Sequence, residues 1–167
     1  MIEYISRQIA ISIKKADPQG NVSVNVMAYQ LGYWLNPTAI IALSLGIGWI
    51  TGAFLGTVMG MLAFCILRRY TGGFHFSSLT KCFIVSAALL STIPHIVLND
   101  AAVIALTMLS AILLLIFRRG GGVSLLLVLS NIYFKSDVIA LAFLAQMFFV
   151  IIQQIGGVKG NETEISA

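Results

Sequence analysis

A histidine and a cysteine, His75 and Cys82, stand seven residues apart in a short polar stretch of an otherwise apolar chain. The stretch reads Arg69-Tyr70-Thr71-Gly72-Gly73-Phe74-His75 and runs on through Ser77, Ser78 and Lys81 to Cys82. A thiol attacks a carbonyl as thiolate, and imidazole titrates in the range needed to take its proton. The residue types therefore point to acyl transfer at a cysteine. A lone pair without a third group is more often structural than catalytic, so spacing alone leaves both readings open.

Geometry sets a condition on the chemistry. On one continuous helix His75 and Cys82 would share a face but stand ~10 Å apart along the axis, at 1.5 Å per residue. Direct pairing requires a break, and Gly72-Gly73 supplies the backbone freedom for one. Ser77 or Ser78 can then cap a new helix that carries Cys82 about one turn in, where the helix dipole favours thiolate. Lys81 and the pair Arg68-Arg69 add positive potential. Backbone amides near Cys82, or Arg69, are the candidates for holding an oxyanion.

The elements that must position these residues are read from composition. The chain has 167 residues, 59% hydrophobic and 10% charged, with a mean hydropathy of +0.97. Soluble domains carry roughly 25% charged residues, so there is too little polar surface to coat a water-soluble globule. The fold class expected is all-α: a polytopic integral membrane helical bundle, one membrane domain over residues 1–167. The net charge of +4 comes from short basic groups between apolar runs, not from a basic patch interleaved with aromatics, which argues against nucleic acid as a partner. Two cysteines without CxxC or zinc spacing give no sign of a metal site, and no cofactor is expected. Cys65, inside an apolar run, is expected to be a small buried hydrophobe.

Residues 1–20 carry Glu3, Arg7, Lys14, Lys15 and Asp17, so a cleavable signal is not expected. Ile2, Ile5, Ile9 and Ile13 fall at helical spacing, which predicts an amphipathic helix on the membrane or packed against the bundle, ending near Asp17-Pro18. Residues 22–155 hold about six hydrophobic segments: Val22 to Leu35, Thr38 to Leu67, Leu79 to Leu98, Ala101 to Phe117, Val123 to Phe134 and Val138 to Ile155. The first break is placed at Asn36-Pro37, because proline disfavours helix in the residue before it. Gly48, Gly52, Gly56 and Gly60 recur every four residues and predict one close-packing ridge, within the bundle or across a dimer. The polar tail 156–167 is expected to fray.

Lysine and arginine placement sets orientation. With both termini cytoplasmic and six crossings, Arg7, Lys14, Lys15, Arg68, Arg69, Lys81, Arg118, Arg119 and Lys159 fall inside and Lys135 outside. A four-span version with two partial segments fits nearly as well. In this arrangement Asp100 and Asp137 lie on the side away from His75, and His95, after Pro94, is read as a structural residue.

Arg69, Gly72, Gly73, His75, Ser77, Ser78 and Cys82 resemble the signature of the accessory gene regulator B (AgrB) family, membrane peptidases that process pheromone precursors. The resemblance implies that His75 and Cys82 are the catalytic pair, with Arg69, Gly72, Gly73, Ser77 and Ser78 in support. It implies cleavage of a precursor peptide (AgrD-like) through a thioester on Cys82, then cyclisation by an internal thiol or hydroxyl. It further implies a multi-pass protein of the cell membrane, embedded in the lipid bilayer and working as a homodimer in quorum sensing. The competing readings are a small transporter and a non-catalytic dimeric scaffold. Proton-coupled transport is disfavoured because every acidic residue lies at a segment edge or terminus.

Overall fold

The structure is a computed structural model that describes residues 1–73 and 78–165, the last ten of these as backbone only. The described residues form seven α-helices and one 3₁₀ turn, with no strand. They are α1 (Ile2–Ala16), α2 (Val24–Ile50), α3 (Phe54–Thr71), α4 (Leu79–Thr92) with the 3₁₀ turn Ile93–His95, α5 (Asp100–Phe117), α6 (Gly121–Phe134) and α7 (Asp137–Ile165). Helices α2, α5 and the Asp137–Ile155 part of α7 are long and apolar enough to cross a membrane. The core gathers Phe64 and Leu67 of α3, Leu90 of α4, Leu114 of α5, Val128 of α6, and Phe143 and Met147 of α7. Helix α7 is thus the central staff, packed on α3 and α5.

The break expected at Asn36-Pro37 does not occur. Helix α2 runs through Pro37 without interruption. Proline removes one amide donor and its helical bond. The freed carbonyl is that of Tyr33; an apolar helix tolerates such a gap, and the Thr38 hydroxyl donates to the carbonyl next to it, that of Trp34, at 2.8 Å. The chain turns instead at Thr51-Gly52-Ala53. Gly52 takes φ +73°, its N–H donates to the Trp49 carbonyl, and the Ala53 N–H donates to the Gly48 carbonyl at 2.8 Å. This pair of bonds with a left-handed glycine is the Schellman stop of a helix.

The glycine repeat is therefore not one ridge. Gly48 closes α2 against Thr57 of α3, while Gly56 and Gly60 of α3 meet Pro94, Ile93 and Val138. All three lie in contacts within the protomer. The segment after Cys82 also ends sooner than expected, at Thr92 and the 3₁₀ turn, and His95 is exposed. The polar tail, expected to fray, continues α7 to Ile165.

Close contacts mark the two ends of the bundle. At one end, buried Asn131 donates to the Thr107 hydroxyl at 3.1 Å and to the Ser136 carbonyl at 3.0 Å, tying the α6–α7 turn to α5. Lys135 pairs with Asp100 at 2.7 Å beside it. At the other end, a Cβ built on Gly120 would lie 3.2 Å from the Thr71 methyl, so the Arg118-Arg119-Gly120 joint adjoins the end of α3. Helix α1 closes this same end. It buries Ile2, Ser6 and Ala10 against the bundle, with Ser6 beside Gly32 of α2. Ile5, Ile9 and Ile13 remain exposed as an outer apolar stripe. Helix α1 is thus packed on the bundle by one face and amphipathic on the other.

Candidate functional site

The last turn of α3 forms the floor of the polar stretch. Phe64, Leu67, Arg68 and Thr71 recur at helical spacing and share the inward face, and Phe64, Leu67 and Thr71 are buried. The Arg68 guanidinium lies 5.7 Å from the Phe64 ring centre and 5.4 Å from that of Phe149 on α7, within cation–π range. It also donates to Gln146 Oε1 at 3.5 Å and lies within electrostatic reach of the Cys65 and Cys82 thiols. Arg69, the arginine expected to support the site, is exposed.

The chain leaves α3 through two glycines. Gly72 has φ +67° and Gly73 φ +142°, conformations that a side chain resists. At Gly73 space is also closed, since a Cβ would stand 3.1 Å from Gln146 Nε2 and 3.5 Å from the Phe149 Cβ. Gln146, on α7, is fully buried. Its amide donates to the Thr71 hydroxyl at 2.9 Å and to the Gly72 carbonyl. The Thr71 hydroxyl in turn donates to the Leu67 carbonyl at 3.0 Å.

His75 and Ser77 lie outside the described residues, as does the separation of His75 from Cys82. The chain is described again from Ser78, which is extended and caps α4 by accepting from the Lys81 N–H. Cys82 follows in the next turn, half-buried, with its Sγ 4.0 Å from the Ser86 hydroxyl. Cys65 differs from expectation. It is exposed, on the outward face of α3 with Leu62 and Ile66. An apolar run does not imply burial in a membrane helix, because lipid-facing positions are as apolar as the core.

A further contact comes from α1. Glu3 Oε1 accepts from the Ser78 hydroxyl at 2.7 Å and from the Thr80 N–H at 3.1 Å, and Oε2 accepts from the Thr80 hydroxyl at 2.5 Å. The Thr80 hydroxyl above all, with that of Ser78 and the Thr80 amide, holds this carboxyl well below the usual carboxylate range. A carboxylate on the first turn of a helix also meets the positive end of its dipole. Among the described residues no group of three His, Cys, Asp or Glu side chains could hold a metal ion.

Sequence reasoning did not single out Glu3, Gln146 or Phe149, and it gave Arg68 no part beyond the local positive potential. Two signals were present. Gln146 is an amide inside an apolar helix, a rare and costly placement that marks a functional or packing role. Arg68 shares the helical phase of Phe64 and Thr71, whereas Arg69 does not.

The helices and this polar seam at one end of the bundle define a polytopic helical membrane protein. The pattern of the family described as accessory gene regulator B matches residues 2–128. The chain belongs to that family, which supports a part in agr quorum-sensing pheromone processing. No curated protein and no solved structure matches it.

Proposed function

We propose that this protein is a membrane-embedded cysteine peptidase that cleaves a pheromone precursor peptide and cyclises it through a thioester. The observation that carries the reading is the setting of Cys82. The thiol is half-buried one turn into a helix that Ser78 caps, just past the segment that carries His75.

In this reading His75 takes the Cys82 proton and Sγ attacks a backbone carbonyl of the precursor. The tetrahedral oxyanion collapses as the C–N bond breaks, and His75 returns its proton to the leaving amine. The N-terminal part is held as a thioester on Cys82. An internal thiol or hydroxyl of the peptide then gives its proton to His75 and attacks the thioester, closing the ring and releasing Cys82. The thioester preserves acyl reactivity, so ring closure needs no nucleotide, but water must be kept away. Gly72 and Gly73 shape the turn before His75, Ser78 starts the helix of Cys82, and Arg69 and Ser77 flank the segment.

The protein acts as a single membrane domain with both termini cytoplasmic. Thr71 adjoining Gly120 supports placing Arg68, Arg69, Arg118 and Arg119 at one surface, and the Lys135–Asp100 pair supports the opposite end for Lys135. The homodimer is part of the proposal, with a contact other than the glycines now seen packed within the protomer.

The test is co-expression with an AgrD-like precursor peptide. Cys82→Ala and His75→Ala should abolish cleavage while the protein stays folded and membrane-inserted, and Cys65→Ala should cleave at the parental rate. Full cleavage by the Cys82→Ala protein would end the peptidase reading.

A further inference from the structure

We propose that Gln146 is a positioning residue for the site, holding the Gly72-Gly73 turn in the course from which the chain runs on to His75. The inference rests on the peptidase reading for its catalytic consequence. Its structural part stands alone. Gln146 is fully buried at mid-helix in α7, where an unpaired amide would be costly. It spends both N–H donors on the turn, one on the Gly72 carbonyl and one on the Thr71 hydroxyl. Its oxygen accepts from the Arg68 guanidinium. One side chain thus ties together the end of α3, the turn that leaves it and the guanidinium in the last turn of that helix.

The backbone explains why such a clamp is needed. Two glycines in succession give the chain more freedom than any other pair. Without an outside hold, the residues after them would sample many courses and the base would rarely meet the nucleophile. Gln146 and Phe149 fill the space under Gly73 so closely that a Cβ there would touch both. The hold comes from α7, beyond the residues 2–128 that match the family. It is a property of this chain's own tertiary packing.

The experiment compares wild type, Gln146→Leu and Gln146→Glu in proteoliposomes with the precursor peptide. Glutamate keeps an acceptor for Arg68 but has no N–H for Gly72. Both variants should lower kcat for cleavage at least tenfold with KM within twofold, since misplacement of about 1 Å can cost on the order of 100-fold. Hydrogen–deuterium exchange supplies a readout independent of cleavage. Residues 70–78 should exchange faster in both variants while α5 and α6 keep their wild-type protection. Wild-type kcat in either variant, or faster exchange through the whole bundle, would overturn the positioning role. Should the wild-type protein not cleave at all, the peptidase reading falls, and unchanged exchange over 70–78 would then sink the clamp as well.

Discussion

Replacing Gly48 by alanine tests whether the glycines pack within the protomer. A Cβ at this position would stand 2.3 Å from Thr57 Oγ1 and 2.9 Å from Thr57 Cβ. Turning the hydroxyl away does not cure the clash, because the second contact is with Cβ itself. Thr57 is fully buried, and its hydroxyl donates to the Ala53 carbonyl at 3.0 Å. Helices α2 and α3 must therefore separate, and overpacking of this kind costs about 1–3 kcal/mol. Alanine regains ~1 kcal/mol of helix propensity over glycine. The net loss relative to wild type is about 0–2 kcal/mol, or up to roughly 8 °C in Tm for a chain of this size, and about 1–3 kcal/mol relative to a glycine-to-alanine change without the clash.

Thermal unfolding in detergent measures it, with Gly46→Ala as control, since a Cβ there meets nothing within 4 Å. The control should be as stable as wild type or slightly more so. Adding Thr57→Ala to Gly48→Ala should cost less than the two separate losses combined, because the pair is in contact. Equal stability of Gly48→Ala and Gly46→Ala would refute the α2–α3 contact as described. Loss of self-association with unchanged Tm would return the glycines to an intermolecular face.

Three other outcomes are expected. Glu3 has a depressed folded-state pKa, so its contribution is fully present above the ordinary value of 4.5 and is lost only as pH falls through the lower folded one. Protection of α1 from hydrogen exchange should therefore match at pH 7 and pH 5, after correction for intrinsic rates, and should drop in Glu3→Ala at both. A loss of protection between these values in wild type would contradict the contact. Asn131→Leu removes the ties to Thr107 and Ser136, strands buried polar groups and should destabilise by about 1–3 kcal/mol. A neutral Tm would show that the fastening carries nothing. Single cysteines at Arg118 or Arg119 should react with an impermeant thiol reagent only from the cytoplasm, and those at Asn99 or Ser136 only from outside. The reverse pattern would invert the orientation.

Hydropathy made most of the helices legible. Phe117 and Phe134 end α5 and α6 where the apolar runs end, and the glycine-rich and Lys135 joints are where they were expected. The first joint was misplaced because two signals have ambiguous physics. Proline breaks helices in water more reliably than in an apolar environment, where Thr38 can cover a neighbouring carbonyl. Glycine every fourth residue marks a packing ridge only if the helix continues, and the period cannot reveal that Gly52 adopts a positive φ. Cys65 was misjudged for a related reason. In a membrane chain apolar neighbours do not separate a core position from a lipid-facing one, but helical phase does, and Cys65 is in phase with Leu62 and Ile66. In the candidate site, the glycine turn and Ser78 at the helix start could be read from residue type. Gln146 and Glu3 could not be placed, because each reaches its partner across more than seventy residues of chain.

These two long-range ties have a common logic. They fasten the polar stretch at its two ends, Gln146 at Thr71 and Gly72 and Glu3 at Ser78 and Thr80. Ordering each residue of backbone costs on the order of 1–2 kcal/mol, and the glycines raise that cost. A base carried between the two ends can meet a nucleophile just beyond the second only if both ends are fixed relative to each other. Local sequence cannot fix them, because α3 and α4 are separate helices joined only by this stretch. The fixing must come from other elements: α2 packs on both helices, α7 holds the end of α3 and α1 holds the start of α4. Helix α1 also keeps an outer apolar stripe, so the element that secures the start of the Cys82 helix is the one suited to rest on the lipid surface.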